Sequence, residues 1–299
     1  MFSSERPGSD YKLKKSRTSP SIDAVVFAGG GTRCFWQVGF WDAISGMMEL
    51  QPKRVAAASA GAAMACVVFS GKTKETLERF KEATARNRRN VYLSNFFGGD
   101  PVFPHYGMYR KAILEAVDTS ALRILHEGPD IRVLLSLPPR RMGARCAAVV
   151  GILGYMAERY LKDPVHPSFG RHLGFSPRVV SVRECVTVDE LADLILASSC
   201  TPPLTPLLTW RGESVLDGGL VDNVPVGILG GSGGNTLVLL TRTYDTNRIP
   251  PVPNMTYVQP SRPISISKWD YTNPAGLQEV FDLGRSDGEA FCRGRGLRP

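Results

Sequence analysis

The sequence of 299 residues contains no apolar run long enough to cross a membrane. A transmembrane helix needs about 20 consecutive apolar residues, whereas the longest apolar stretch covers only residues 147–157. Residues 1–21 also lack the apolar centre of a classical secretory signal peptide, and they carry several Lys and Arg side chains. These absences predict a cytoplasmic protein with no membrane-spanning segment.

Paired cysteines and clustered histidines are absent as well. The six cysteines are scattered without a Cys-x-x-Cys pair, which disfavours a zinc ribbon or a thioredoxin-like motif. Most of them have apolar neighbours, so we expect buried, reduced thiols. The four histidines show no metal-ligand spacing, and the last of them is His172. We therefore expect no metal site.

Nucleic-acid-binding motifs are also missing, although the net charge is +8. The basic residues are spread along the chain and are not interleaved with aromatic residues, so we expect no nucleic-acid partner. A positive charge also suits an anionic membrane surface. Peripheral contact with such a membrane is therefore the functional interpretation of the charge, and an ordinary soluble surface is the alternative.

What the sequence does contain is a repeated order of short apolar runs, tight turns and helices. Strands that alternate with helices predict an α/β sheet covered on both faces. We expect a flexible basic tail at residues 1–21, a main domain at 22–245, and a C-terminal extension at 246–299 that packs on the domain. Helices are predicted at residues 109–125 and 142–160.

The first of three motifs is a glycine-rich loop between a predicted strand and a predicted helix. Gly29, Gly30 and Gly31 let the backbone turn sharply and present bare N–H groups. The positive end of the following helix adds to the field there. Such a loop holds a phosphate or a developing oxyanion. Nucleotide binding is the less favoured alternative, because no complete phosphate-loop or dinucleotide-binding motif is present.

The second motif places Ser59 at a strand-to-helix turn between small residues, in the sequence AASAG. This layout is typical of a nucleophile elbow, whose strained turn tolerates only small neighbours. A serine that merely caps the helix is the alternative.

The third motif is Asp217 followed by two glycines, at the end of a predicted strand. Ligands of open α/β sheets bind at this edge. A Ser–Asp–His order cannot use Asp217, because no histidine follows it. Asp217 could instead polarise Ser59 directly if it lies within hydrogen-bond distance. A simple turn aspartate is the alternative.

Together these motifs resemble the signature of the patatin-like phospholipase family, which comprises a GGGx[RK] loop, a GxSxG elbow and a DG[AG] aspartate. The resemblance covers about residues 22–245 and implies a three-layer α/β/α sandwich with a mostly parallel central sheet. Ala57 departs from the signature by replacing the first glycine of the elbow, and Cys34 replaces a glycine that often follows the basic residue. The matching segments are residues 29–33, 57–61 and 217–219.

The resemblance also implies a reaction and the residues that perform it. Ser59 would be the nucleophile and Asp217 the base of a dyad that transfers the acyl group of a phospholipid, or of another lipid ester, to water. Gly29 and Arg33 would support the loop or contact the substrate. No metal or organic cofactor is implied. The alternative is an inactive scaffold that binds lipid or a protein partner. The implied oxyanion hole comprises the N–H groups of Gly30, Gly31 and Ala60.

The middle of the chain, about residues 87–176, contains no motif that we can assign. Within it, residues 140–157 are first basic and then apolar. A core helix is the favoured interpretation, and an element that touches lipid is the alternative. For Cys34 we favour a packing role over a reactive thiol at a helix start.

Overall fold

The computed structural model describes residues 21–48, 50–230 and 234–295, so nearly all of the predicted tail lies outside the described residues. The strands are β1 (Ile22–Phe27), β2 (Arg54–Ala58), β3 (Asp130–Leu137), β4 (Ser176–Ser181), β5 (Leu208–Trp210), β6 (Glu213–Asp217), β7 (Asn235–Leu239) and β8 (Met255–Val258). The α-helices are α1 (Phe35–Ser45), α2 (Ala60–Phe69), α3 (Thr73–Arg86), α4 (His105–Ala116), α5 (Thr119–Glu127), α6 (Ala144–Leu161), α7 (Phe169–His172), α8 (Val188–Ser198), α9 (Gly219–Asp222) and α10 (Pro274–Gly294). Short 3-10 helices cover Gly31–Cys34, Leu93–Phe97, Val182–Glu184, Val226–Ile228 and Thr246–Arg248.

The strands form one sheet in the order β5-β6-β3-β2-β1-β7-β8, and β4 pairs with β3. The strands from β3 through β2, β1 and β7 to β8 are parallel to one another. By contrast, β4 and β6 run antiparallel to β3, and β5 runs antiparallel to β6. The predicted mostly parallel sheet is therefore confirmed, with antiparallel pairs at one end.

Helices cover both faces of the sheet because its central strands are apolar on both sides. Along β1, Val25 and Phe27 join a cluster that also contains side chains of α1, α2, α8 and α10. The alternate residues Ala24 and Val26 join a second cluster on the other face. On that side, α6 and α9 contribute to a third cluster. The predicted three-layer α/β/α sandwich is confirmed.

The C-terminal part of the chain contributes a strand and a long helix, neither of which the sequence analysis predicts. Strand β8 pairs with β7. Helix α10 packs on α1 so closely that a Cβ atom at Gly39 would lie 2.0 Å from the Phe281 carbonyl oxygen. A Cβ atom at Gly284 would meet the Trp36 carbonyl oxygen at 2.1 Å. The domain boundary at residue 245 stays a prediction.

The single helix predicted at residues 109–125 is wrong, since α4 and α5 are separate helices. Asp118 starts α5: its carboxylate accepts a hydrogen bond from the backbone N–H of Ala121 at 2.7 Å. An aspartate at this position satisfies an otherwise unpaired N–H group of the first turn. The helical pattern on both sides of Asp118 therefore hides a boundary between two helices.

Helix α6 is buried on one side and exposed on the other. Its small residues Ala147, Ala148, Gly151 and Gly154 are buried, as a core helix requires. The opposite face is apolar and open, so the core-helix interpretation is right for one face only. Among the described residues, no helix combines the length and the hydropathy that a bilayer span requires. The exposed fractions are 58% for Val149, 61% for Leu153, 59% for Met156 and 90% for Tyr160.

Candidate active site

The register of the sheet brings two strand ends together along β3. Strand β4 occupies one edge of β3 over residues 132–137. On the other edge, β2 pairs as far as Ala58 opposite Leu134, and the pairing with β6 then starts at Asp217, the last residue of β6, opposite Leu135. Because β2 and β6 run in opposite directions, they meet end to end. The residue after β2, Ser59, therefore lies beside the last residue of β6.

Ser59 occupies a strained turn between β2 and α2. Its backbone angles are φ 53° and ψ −138°, a conformation that few residues other than glycine adopt. The Ser59 N–H group donates a hydrogen bond to Ser198 Oγ at 2.8 Å, and Ser198 Oγ donates to the carbonyl of Leu134 at 2.7 Å. Ser198 thus ties the turn to the middle of β3, a connection that the sequence analysis missed.

The side chains of Ser59 and Asp217 are in direct contact. Ser59 Oγ donates a hydrogen bond to Asp217 Oδ2 at 2.7 Å. Thr201 Oγ1 donates to the same oxygen at 3.2 Å, and the N–H group of Gly219 donates to Oδ1 at 2.7 Å. These bonds fix the plane of the carboxylate against the serine hydroxyl.

The protein environment makes the Asp217 carboxylate more basic than an ordinary one. Burial raises the pKa of Asp217, and this effect outweighs the hydrogen bonds from Ser59, Gly219 and Thr201 and the charge of Lys268, which lower it. Desolvation disfavours the charged form of a carboxylate and so strengthens it as a proton acceptor. A carboxylate in this state, bonded to a hydroxyl, can take the proton of that hydroxyl as it attacks a carbonyl carbon.

The glycine loop is fastened to its neighbours from both sides. The Gly29 carbonyl accepts hydrogen bonds from Asn223 Nδ2 at 3.1 Å and from Thr241 Oγ1 at 2.7 Å. Gly31 has φ +59°, and a Cβ atom there would lie 2.0 Å from the Lys268 carbonyl oxygen. Glycine is therefore required at position 31 for both its backbone angle and its contact.

Two of the three residues expected to form an oxyanion hole begin helical segments. Gly31 starts a 3-10 helix and Ala60 starts α2. The leading N–H groups of a helix have no acceptor within it, so they can bind an anion. Gly30 is the residue just before the 3-10 helix.

A cavity of about 1060 Å³ opens above the dyad. Six of the predicted site residues line it, whereas the seventh, Ala60, lines a small apolar cavity of about 30 Å³ that shares Gly31 with it. The walls come from α6, from residues 241–248 and from residues 263–269. The sequence assigns no motif to the two later segments, and it offers lipid contact by residues 140–157, which overlap α6, only as the alternative to a core helix. The predicted residues that line the large cavity are Gly29, Gly30, Gly31, Arg33, Ser59 and Asp217.

Arg33 connects the glycine loop to one of the walls. Its Nε atom donates a hydrogen bond to the carbonyl of Ile266 at 2.9 Å. Next to it, the backbone N–H of Thr32 donates to the carbonyl of Lys268 at 3.1 Å. Residues 266–268 are therefore held against the loop, and Arg33 remains part of the cavity lining.

The alternative reactive groups lie elsewhere or are buried. Cys34 is fully buried, and burial raises the pKa of its thiol, so the packing role is the one its environment supports. None of the four histidines lines the large cavity. Across residues 21–48, 50–230 and 234–295, no group of three or more His, Cys, Asp or Glu side chains is placed to hold a metal ion.

The family comparison agrees with the resemblance found in the sequence. The model of the patatin-like phospholipase family matches residues 25–229, which is more than half of the chain. The chain therefore belongs to the patatin-like phospholipase family, whose members are in general lipid acyl hydrolases.

A search of curated protein sequences gives no significant match. Among solved structures, VipD from Legionella pneumophila is similar at a TM-score of 0.47 and 13% sequence identity, over 92% of this chain and 67% of that chain.

Proposed function

We propose that this protein is a lipid acyl hydrolase in which Ser59 is the nucleophile and Asp217 the general base. The observation that carries the proposal is the 2.7 Å hydrogen bond from Ser59 Oγ to Asp217 Oδ2 at the floor of a large cavity. The strained turn at Ser59 supports it, because such turns expose a nucleophile above the sheet edge. Membership of the family supports the reaction type.

In the first half of the reaction, Asp217 accepts the hydroxyl proton while Ser59 Oγ attacks the ester carbonyl carbon. The N–H groups of Gly30, Gly31 and Ala60 stabilise the negative oxygen of the tetrahedral intermediate. The ester C–O bond then breaks, and the leaving alkoxide takes the proton from Asp217. An acyl group on Ser59 and a free alcohol result.

In the second half, Asp217 accepts a proton from water, and the resulting hydroxide attacks the acyl carbonyl carbon. The bond from the acyl carbon to Ser59 Oγ breaks, and the serine oxygen regains the proton from Asp217. The products are a fatty acid and the free enzyme. No metal or organic cofactor takes part in the proposed reaction.

The cavity supports a lipid ester as substrate. Its lining includes apolar side chains beside the polar floor, so an acyl chain can lie there without meeting water. These apolar side chains are Ile152, Met156, Leu220, Pro263, Ile264 and Trp269.

We further propose that the enzyme acts in the cytoplasm on lipid at an anionic membrane surface. The six cysteines are unpaired, which suits a reducing compartment. The exposed apolar face of α6 is continuous with the cavity, because Met156 and Tyr160 belong to both. Arg140, Arg141 and Arg145 are exposed near the start of that helix. An apolar face next to basic residues is the arrangement with which proteins rest on anionic lipid.

The test of the dyad is hydrolysis of a neutral short-chain ester and of phospholipid vesicles by the wild type, Ser59→Ala and Asp217→Asn. We expect both variants to lose turnover by about 10⁴-fold or more, since dyad members act as a unit. Ser94→Ala and Asp100→Asn, which change exposed residues outside the cavity, serve as matched controls. Activity that survives in both dyad variants would contradict the mechanism. No turnover by any protein would instead favour the inactive lipid-binding scaffold.

A further inference from the structure

Beyond the dyad, the large cavity carries an unusual concentration of positive charge. Two carboxylates are also part of its lining, and both are already engaged. Asp163 pairs with Arg242 and Arg248, and Asp217 accepts the hydrogen bond of Ser59. We call the positively charged set the cationic wall. Its members are Arg33, Arg159, Arg242, Arg248 and Lys268.

Three members of the cationic wall have no carboxylate partner in the part of the chain that the structure describes. Arg33 uses its Nε atom for the carbonyl of Ile266. Lys268 Nζ lies 5.0 Å from the centre of the Trp269 ring and 5.7 Å from that of the Tyr155 ring. Arg159 forms neither an ion pair nor a hydrogen bond with any described residue. All three therefore line the cavity without an ion pair, although the charge of Asp217 acts on Lys268 from a distance.

These positive charges repel one another, so each makes the charged form of its neighbours less favourable. Burial lowers the pKa of Lys268, and Arg159, Arg33 and Arg242 lower it further, while Asp217 acts in the opposite direction. Burial, followed by repulsion from Arg159 and Arg242, likewise lowers the pKa of Arg33. Grouping like charges in a partly desolvated cavity has a free-energy cost, and a bound anion would remove it.

Structural roles do not account for the whole cationic wall. Lys268 lowers the pKa of Asp217 and so helps to keep this carboxylate charged. Arg242 and Arg248 hold Asp163 at the end of α6. Neither explanation applies to Arg159, which lines the cavity without a described polar partner. Arg159 is thus the member whose presence points most directly to a ligand.

We propose that the cationic wall binds a phosphate-bearing, net anionic lipid headgroup while the ester carbonyl lies at Ser59. This inference rests on the proposed function and names its substrate class. Guanidinium groups bind phosphate oxygens in pairs of parallel hydrogen bonds, and Arg33 and Arg159 supply two such groups beside the Lys268 ammonium. A headgroup that ends in a quaternary ammonium would meet uncompensated positive charge and is selected against.

The test compares soluble, short-chain phosphatidic acid with phosphatidylcholine of the same acyl chains, because monomeric lipids remove the effect of surface charge. We expect the wild type to show a kcat/KM at least about tenfold higher for phosphatidic acid, a difference of about 1.4 kcal/mol. Arg159→Gln should reduce this preference about tenfold, mainly through KM, and Arg159→Lys should restore part of it. Arg123→Gln, on an exposed part of α5, is the control and should change neither rate.

A binding measurement makes the test independent of turnover. In the Ser59→Ala background, calorimetry should show tighter binding of phosphatidic acid than of phosphatidylcholine, and Arg159→Gln should weaken the former about tenfold. Inorganic phosphate alone should compete, but more weakly than phosphatidic acid; equal competition would assign the wall to free phosphate instead. Equal binding of the two lipids by the wild type would overturn the inference. Arg159→Gln would also overturn it if it weakened the binding of both lipids to the same extent. Hydrolysis of a neutral ester tests the proposed function separately. If the wild type hydrolyses this ester and Ser59→Ala does not, the proposed function stands whatever the result for headgroup binding.

Discussion

The floor and the walls of the cavity are built in different ways. The floor consists of strand ends and turns: Ser59 follows β2, Asp217 ends β6, and residues 29–33 follow β1. Backbone register places these groups, and hydrogen bonds to neighbouring residues hold them. The walls consist of side chains on α6 and on two later segments. Under the proposed function, we therefore expect changes in the floor to abolish the chemistry and changes in the walls to alter which lipid is accepted.

The largest effect on activity is expected when a residue in the floor of the cavity is changed. Ser59→Ala, Asp217→Asn and the double variant should all lose about 10⁴-fold or more in kcat, and the double variant should be no worse than either single one. In the proposed mechanism, neither Ser59 nor Asp217 is effective without the other. Single-turnover kinetics on the neutral ester provides the measurement. Additive losses would mean that the two residues do not act as a unit.

A smaller effect on activity is expected for Ser198, whose hydrogen bonds hold the turn at Ser59. Ser198→Ala removes the hydrogen bond to the Ser59 N–H group and the one to the Leu134 carbonyl. We expect a fall in kcat of about tenfold with an unchanged KM, because the turn loses its anchor. The two unpaired buried groups should also cost about 1–3 kcal/mol each in the free energy of unfolding. A lower melting temperature with an intact kcat would reduce Ser198 to a purely structural role.

The outer face of α6 allows the proposed membrane contact to be tested without changing the dyad. In a Ser59→Ala background, the change of Val149 and Leu153 to serine should weaken binding to mixed phosphatidylglycerol and phosphatidylcholine vesicles about 30-fold, since about 1 kcal/mol is lost for each side chain. Cosedimentation measures this binding. Val186→Ser, which is 79% exposed on another surface, is the matched control. If vesicle binding is unchanged, and the protein forms a dimer that the changes at Val149 and Leu153 dissociate, the face serves self-association instead.

The smallest effect is expected for Lys268, a wall residue whose charge acts on the pKa of Asp217 in the floor. Asp217 must be unprotonated to act as a base, so activity falls as the pH drops through its raised pKa. Lys268 lowers this pKa, and therefore Lys268→Met should raise it. The acid limb of kcat/KM on the neutral ester should move to higher pH, by less than about one unit. Thr201→Val should move it the same way, because Thr201 also lowers the pKa. A shift of the limb to lower pH in both variants would contradict this sign.

The sequence allowed the floor to be predicted because local constraints restrict its residue types. Gly31 needs a left-handed backbone angle and has no room for a Cβ atom, and a strained elbow accepts only small neighbours around Ser59. The end-to-end meeting of β2 and β6 could not be foreseen, since it depends on the antiparallel register of a strand far along the chain. The dyad and the oxyanion hole stay predictions until activity is measured.

The walls could not be predicted for a different physical reason. Arg159, Arg242 and Lys268 are common residue types in three separate segments, and only the tertiary fold brings their charges to one cavity. Helix α10 was also missed, although its apolar residues follow a helical period. The split between α4 and α5 depended on one capping aspartate within a continuous helical pattern. Side chains that meet through tertiary contacts alone leave no local signature.

The junction of β2 and β6 on β3 has a consequence for how this protein responds to heat. The short β5–β6 hairpin is attached to β3 by just two register pairs, Leu135 with Asp217 and Ser136 with Leu216. Two backbone hydrogen bonds, from Asp217 and Gly218 to residues 200 and 198, add to its attachment near the dyad. Trp210, Val215 and Leu216 of the hairpin are buried in the core, so the backbone pairing is the sparse part of this attachment. A unit that pairs with the sheet over so few residues can open while the parallel sheet remains intact. Because that opening carries the base away from the nucleophile, inactivation should precede global unfolding, and catalysis itself would report the local opening of one hairpin.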